Sequence, residues 1–266
     1  MNVFLRELRA YRKSTITWTG SLSALIVVFM ALYPAFTQDI EATKEILSQF
    51  PEALRAALSI SLGNFFTIYG FYGYLLSFVI LAGAIQAMNL GTGVLAKEVS
   101  GKTADFLLSK PVARGRVVSA KLAAVLATIV ITDAGVSIVA YLSASSVAEE
   151  PIDLTTFFLL TLTLLLVQLI FLALGALFAV LIPKVKSVVS VSLPTVFAFY
   201  IAGMIGEVLD NENFRYVSPF KFYDTNYIIT NAGLEKTYVI LGAAIVVVAI
   251  ALCYAIYLKK DVRASA

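Results

Sequence analysis

Histidine is absent from the 266 residues, and cysteine occurs once, as Cys253. These two shortages exclude a disulfide framework and the Cys/His sets that hold structural or catalytic zinc. No metal site is expected. Cys253 lies inside an apolar run, where a cysteine serves as a small apolar filler. Charge is also scarce, at 14% of residues against 60% hydrophobic, a balance foreign to an ordinary soluble domain of this length. The net charge of only +3 offers no basic field of the kind nucleic-acid partners require. Without histidine, and without carboxylates paired in one apolar segment, hydrolase and metalloprotease chemistry has no visible machinery. The chain reads as a non-enzyme.

What is present is length of apolar sequence. Runs lie at about 17–36, 65–90, 117–142, 155–182, 187–205 and 237–258. Each is long enough to cross a hydrocarbon layer of roughly 30 Å at about 1.5 Å per helical residue. The expected fold is therefore an all-α membrane protein of six transmembrane helices, forming one domain over residues 1–266. The fourth and fifth runs are separated only by Pro183–Ser187, which predicts a tight hairpin. Ahead of the first run, Phe4, Leu5, Leu8 and Tyr11 share one helical face, with Arg6, Arg9, Arg12 and Lys13 around the other. That pattern predicts an interfacial helix on an anionic membrane surface. The first run is too long for the apolar region of a signal peptide, so it is read as a span.

Fifteen of the 20 basic residues fall in four segments: the N-terminus, the stretch 96–121, the 183–187 hairpin and the tail. A six-span topology puts all four on one side, and twelve of the 17 acids on the other. The positive-inside rule then places both termini in the cytoplasm. On the outer side, residues 39–64 have helix-like apolar spacing and are expected to lie along the surface. Residues 207–236 mix aromatics with charges, as either an interfacial anchor or a substrate gate would.

Asp133 is the clearest ionisable residue within a span, with Ser137 and Tyr141 on its stripe at i+4 and i+8. A carboxylate there must find a partner, take up a proton or face water. Helix-rise counting puts Asp133 somewhat outside the midplane and Gln168 somewhat inside it, close enough for neighbouring helices to join them, so Gln168 is the candidate partner. Asp133, Ser137 and Gln168 thus line a translocation path or form a packing hydrogen bond. Gly83, Ala87 and Gly91 recur every four residues, a spacing for close helix approach within the subunit or across a dimer. Pro194, within the fifth span, frees a backbone carbonyl and marks a candidate kink.

The polar island Ala96–Arg116 interrupts the apolar sequence. Its Gly101-Lys102-Thr103 mimics the end of a phosphate-binding loop, but Ala96 stands where that motif demands glycine, and a membrane helix replaces the strand. No nucleotide site is expected in the chain. Phe106, Leu107 and Leu108 form an apolar patch. A short amphipathic helix over 96–109, stopped by Pro111, would bury it against a protein or the bilayer.

The run Glu98-x-x-x-Lys102-Thr103-Ala104-Asp105-Phe106-Leu107-Leu108-Ser109-Lys110-Pro111-Val112-Ala113-Arg114, followed by Lys121, resembles the cytoplasmic segment after the second span in ABC transporter permeases of the ABC-2 type. FLRELRAYRKS near the N-terminus, FPEALRAAL at Phe50–Leu58 and SPFKFYD at Ser218–Asp224 extend the resemblance over essentially the whole chain, with Ala113 where Ser or Thr is expected. The resemblance implies an exporter subunit of the prokaryotic plasma membrane that dimerises with itself or a related permease. It further implies two separately encoded cytoplasmic ATPases, which would bind the ATP and Mg. Glu98, Lys102, Thr103, Asp105, Phe106 and Leu107 would then form the coupling helix that docks on the ATPase, with the N-terminal helix as a second contact. The competing classes are an ion-coupled secondary carrier using Asp133, and a membrane scaffold or immunity-type protein without transport. Against the carrier stands the lack of matching Gly/Pro-interrupted segments in the two halves.

Overall fold

A computed structural model describes residues 3–51, 54–55, 60–100, 114–209, 211 and 213–259, with side chains left out at 97–100 and 114. Among the described residues the chain is helical without strands. The helices are α1 (Val3–Thr37), α2 (Ile40–Ser48), α3 (Ile68–Ser100), α4 (Arg114–Val147), α5 (Leu154–Leu181), α6 (Val189–Val208), α7 (Asn213–Val217), α8 (Thr225–Asn231) and α9 (Lys236–Lys259). A 3₁₀ turn at Pro219–Lys221 sits between α7 and α8. Six of them, α1, α3, α4, α5, α6 and α9, are long and apolar enough to cross a membrane.

The N-terminal segment differs from expectation. Instead of a separate interfacial helix, residues 3–37 form one continuous helix of 35 residues. At the helical rise it is about 52 Å long. The reason is local. Between Lys13 and Trp18 there is no glycine or proline to break the ladder. Thr15 Oγ1 donates to the Tyr11 carbonyl at 3.0 Å, a bond made inside a helix. The face turned toward the protein also differs, carrying Phe4, Glu7, Leu8 and Tyr11, while Leu5 points outward with the four basic residues.

Packing follows an alternating rule. The three most extensive helix pairs are α3 with α5, α1 with α4, and α5 with α9, each joining a span to the next but one. Such partners run in the same direction through the bundle. The α3–α5 seam shows why these sequences approach so closely. A Cβ on Gly91 would lie 2.2 Å from the Leu172 carbonyl oxygen, and one on Gly175 would lie 2.7 Å from that of Met88. Both obstacles are backbone, so only glycine fits. Gly83 faces Leu164 and Gln168 on the same seam, which assigns the small-residue spacing to contact within the subunit.

Side-chain contacts fix which helix ends lie together. Glu7 of α1, Val94 of α3 and Lys121 of α4 meet at one end, where Ser119 bonds Tyr254 of α9 at 2.7 Å and Val188 lies against Gly93. The segments richest in basic residues therefore border one end of the bundle. At the other end, Tyr33 donates to the Phe66 carbonyl at 3.0 Å, and the Asp153 N–H donates to the Tyr69 hydroxyl. Asp153 caps α5 there, accepting from Thr156 Oγ1 at 2.7 Å and from the Thr156 N–H at 2.9 Å. Cys253 is buried on α9, its thiol donating to the Ala176 carbonyl at 3.4 Å, as an apolar filler would.

Candidate functional site

Three places in the apolar bundle concentrate buried or paired polar groups. The first lies within the spans. Asp133 on α4 and Gln168 on α5 are both buried and face one another. With its amide nitrogen toward the carboxylate, Gln168 donates to Asp133 Oδ2 at 2.7 Å and Oδ1 at 2.9 Å. The partnership expected from helix-rise counting is thus formed. Ser137 lies on the same face one turn on, and its hydroxyl donates to the Asp133 backbone carbonyl at 2.6 Å. Tyr141 packs edge-on against Phe157. One residue before Asp133, Thr132 accepts from Gln86 Nε2 of α3 at 3.2 Å, so hydrogen bonds reach from α4 to both α5 and α3. Sequence reading misses the Gln86–Thr132 link, although a glutamine in the second apolar run is a visible signal.

The second place is the base of the polar island. Lys102, Thr103, Asp105, Phe106 and Leu107 lie outside the described residues, and Glu98 has only its backbone described, near the end of α3. The Gly101-Lys102-Thr103 triplet lies outside them too. What the structure shows is how the island is mounted. Lys121, in sequence one more basic residue at the island's edge, is buried. Its Nζ lies 3.6 Å from Glu7 Oε1 and donates to the Val94 carbonyl at 3.2 Å. One ammonium therefore joins α1, α3 and α4 where α3 leads into the island and α4 leads out.

The third place is the far end, where residues 213–236 fold back over the helices. Arg215 bonds Glu235 through both terminal nitrogens, donates from Nε to the Lys221 carbonyl at 2.9 Å, and lies 3.9 Å above the Tyr238 ring. Burial pulls the Arg215 guanidinium down, but the Glu235 carboxylate more than offsets it and holds the group above its ordinary value. Lys221 pairs with Glu207 at 2.5 Å, and Ser218 Oγ donates to the Phe199 carbonyl at 2.8 Å. Burial pushes the Tyr223 hydroxyl up to about 12. Gly203 and Gly206 of α6 make room for this cap, since a Cβ on either would strike Ser218 or Phe214. The aromatic and charged loop is thus a packed lid, more than a set of interfacial anchors. Beneath it, between α3 and α6, is a cavity of about 580 Å³ that reaches from Asn64 and Asn226 down to Ile80 and Thr163.

The comparisons agree with a membrane transport role. A family model described as "ABC-2 family transporter protein" matches residues 1–262. No curated protein matches the chain.

Proposed function

This chain belongs to the ABC-2 family of transporter proteins and is a multi-pass integral membrane protein, and from that premise we propose that it is the permease subunit of an ATP-driven exporter. The family makes it a permease component of an ABC transporter, a membrane transport part. In the proposed assembly both termini and the island face the cytoplasm, an orientation that the clustering of basic residues supports under the positive-inside rule. The chain acts as one domain beside a second permease subunit, identical or related. Two cytoplasmic ATPases bind ATP and Mg and supply the work.

The observation that carries this reading is the family match over residues 1–262, which includes the island. The mounting of the island supports it. Helix α3 has 33 residues. At the helical rise that is about 50 Å, well beyond a hydrocarbon core of about 30 Å, so α3 projects toward the island as a rigid stalk. Lys121 ties that stalk to α1 and α4. A push on the segment after Ser100 is thereby delivered to three spans together. Glu98, Lys102, Thr103, Asp105, Phe106 and Leu107 are assigned to the docking helix, with Phe106 and Leu107 as its apolar anchor.

Asp133 and Gln168 are assigned to packing, with Ser137 bracing the α4 backbone beside them, because each polar group finds a partner on the helices already in contact. The test is co-purification. Phe106→Asp with Leu107→Asp is expected to abolish capture of an ATPase subunit while the permease stays monodisperse. Retention of the complex would remove the docking assignment. Transport driven by an ion gradient without ATP, and lost in Asp133→Asn, would replace the reading by an ion-coupled carrier.

A further inference from the structure

The cavity under the lid has a chemical gradient that the permease reading does not use. Its mouth is set by polar side chains, with Asn64 donating to Asn226 at 3.0 Å. Its floor is apolar, formed by Leu76, Ile80 and Phe220, with the hydroxyls of Ser77 and Thr163 already engaged with helix carbonyls. The volume is about 580 Å³. It falls within the range of about 300–1,000 Å³ that small ligands occupy.

The charges on the wall are nearly all committed. Lys221 is paired with Glu207, and Arg215 with Glu235. Asp224 accepts from the Tyr227 N–H at 2.6 Å as the cap of α8. Arg55 is the exception. It lines the cavity, and its Nε is shielded from solvent without a hydrogen-bond partner among the described residues. A buried guanidinium N–H is costly to leave unmade. An anionic group is the acceptor that suits it best.

We propose that this cavity binds a small amphiphile carrying one anionic headgroup, which pairs with Arg55 at the mouth while its apolar tail rests on Leu76, Ile80 and Phe220. The site lies within one subunit, so it requires neither the ATPase nor a second permease. Its test is therefore separable from that of the exporter reading. Arg55 supplies charge at the mouth, and the aliphatic and aromatic floor excludes a fully hydrated ion. A headgroup alone fills only part of the site.

The experiment measures equilibrium binding to the full chain in nanodiscs of zwitterionic lipid, with empty nanodiscs subtracted. The probes are dodecyl phosphate, dodecylphosphocholine and inorganic phosphate. Dodecyl phosphate is expected to bind saturably and about tenfold more tightly than dodecylphosphocholine. Arg55→Gln is expected to erase that preference, and Arg55→Lys to keep most of it. Ser77→Phe, which fills the floor beside Leu76 and Ile80 on α3, is expected to weaken dodecyl phosphate about tenfold and gives an independent reading if Arg55→Gln does not fold. Equal binding of the two dodecyl probes overturns the proposal. So does a preference that survives in Arg55→Gln, or displacement by inorganic phosphate at concentrations comparable to dodecyl phosphate, which would indicate a free-anion site.

Discussion

Helices α5 and α9 are both strongly apolar from end to end, yet 61% of the most apolar part of α5 is buried inside the protein, against 17% for α9. Hydrophobicity does not explain the difference, since the two helices are about equally apolar and in a bilayer lipid tails, as apolar as leucine, drive no apolar face inward. The difference lies in the minority residues. Helix α5 carries Thr156, Thr161, Thr163, Gln168 and Gly175 on buried faces, where they bond or allow close approach. Helix α9 has a narrower seam of Tyr238, Gly242, Ala249 and Cys253, and leaves Ile240, Val247 and Val248 exposed. Position in this fold is set by small and polar side chains.

The largest expected effect tests the seam directly. Gly175→Leu drives a side chain into the backbone of Met88 and Thr92, which cannot yield as a flexible side chain would. It is expected to cost more than about 3 kcal/mol and to abolish the monodisperse peak in detergent size-exclusion chromatography. The matching change on α9, Val247→Leu, is expected to stay within about 0.5 kcal/mol. Equal tolerance of the two would break the contrast between the helices.

An intermediate effect is expected at the polar pair. Gln168→Leu leaves the Asp133 carboxylate buried without its donor. The change is expected to cost about 2 kcal/mol in thermal stability. Asp133→Leu with Gln168→Leu should recover most of that loss, since no polar group is then stranded. A double variant as weak as the single one would show that α5 is held inside by something other than this bond.

The smallest effect concerns the entrance to α5. The Thr156 hydroxyl, and then the backbone N–H groups of Thr156 and Thr155, hold the Asp153 carboxyl below its ordinary range. A depressed value means that the stabilisation is complete above the unfolded value, about 3.9, and is lost as pH falls through the lower folded value. Melting curves of the wild type and Asp153→Asn should therefore differ by a constant amount above about pH 5 and converge below about pH 3. A constant difference at acid pH would mean that the carboxylate charge is not what caps the helix.

Much of this is legible in the residues. Six apolar runs correspond to six long helices, because the bilayer thickness sets a length that sequence displays directly. The Asp133–Gln168 pair is legible for the same reason: helical rise converts residue number into depth. The spacing of Gly83 and Gly91 announces a close approach, though not its partner on α5. Three things escape such reading. The continuity of α1 depends on the absence of a break between Lys13 and Trp18, while amphipathicity draws attention to the segment's surface. Lys121 counts in sequence as an inside charge, and its burial against Glu7 and Val94 joins residues far apart in sequence, beyond the reach of local pattern. The lid over the cavity has opposite charges within a single loop, Glu207 with Lys221 and Arg215 with Glu235, but their pairing requires the fold-back that brings them together.

The alternating order of helix partners has a consequence for biogenesis. Since the most extensive pairs are α1 with α4, α3 with α5, and α5 with α9, consecutive spans make only their smaller contacts as they enter the bilayer. Glu7 illustrates the delay: its partner Lys121 arrives only with α4. Helices inserted early must wait at the translocation machinery or loosely in the lipid until a later one reaches them. The core then closes in overlapping steps. A truncation after any early span would strand at least one unmatched face, which makes the nascent chain a natural client for membrane quality control.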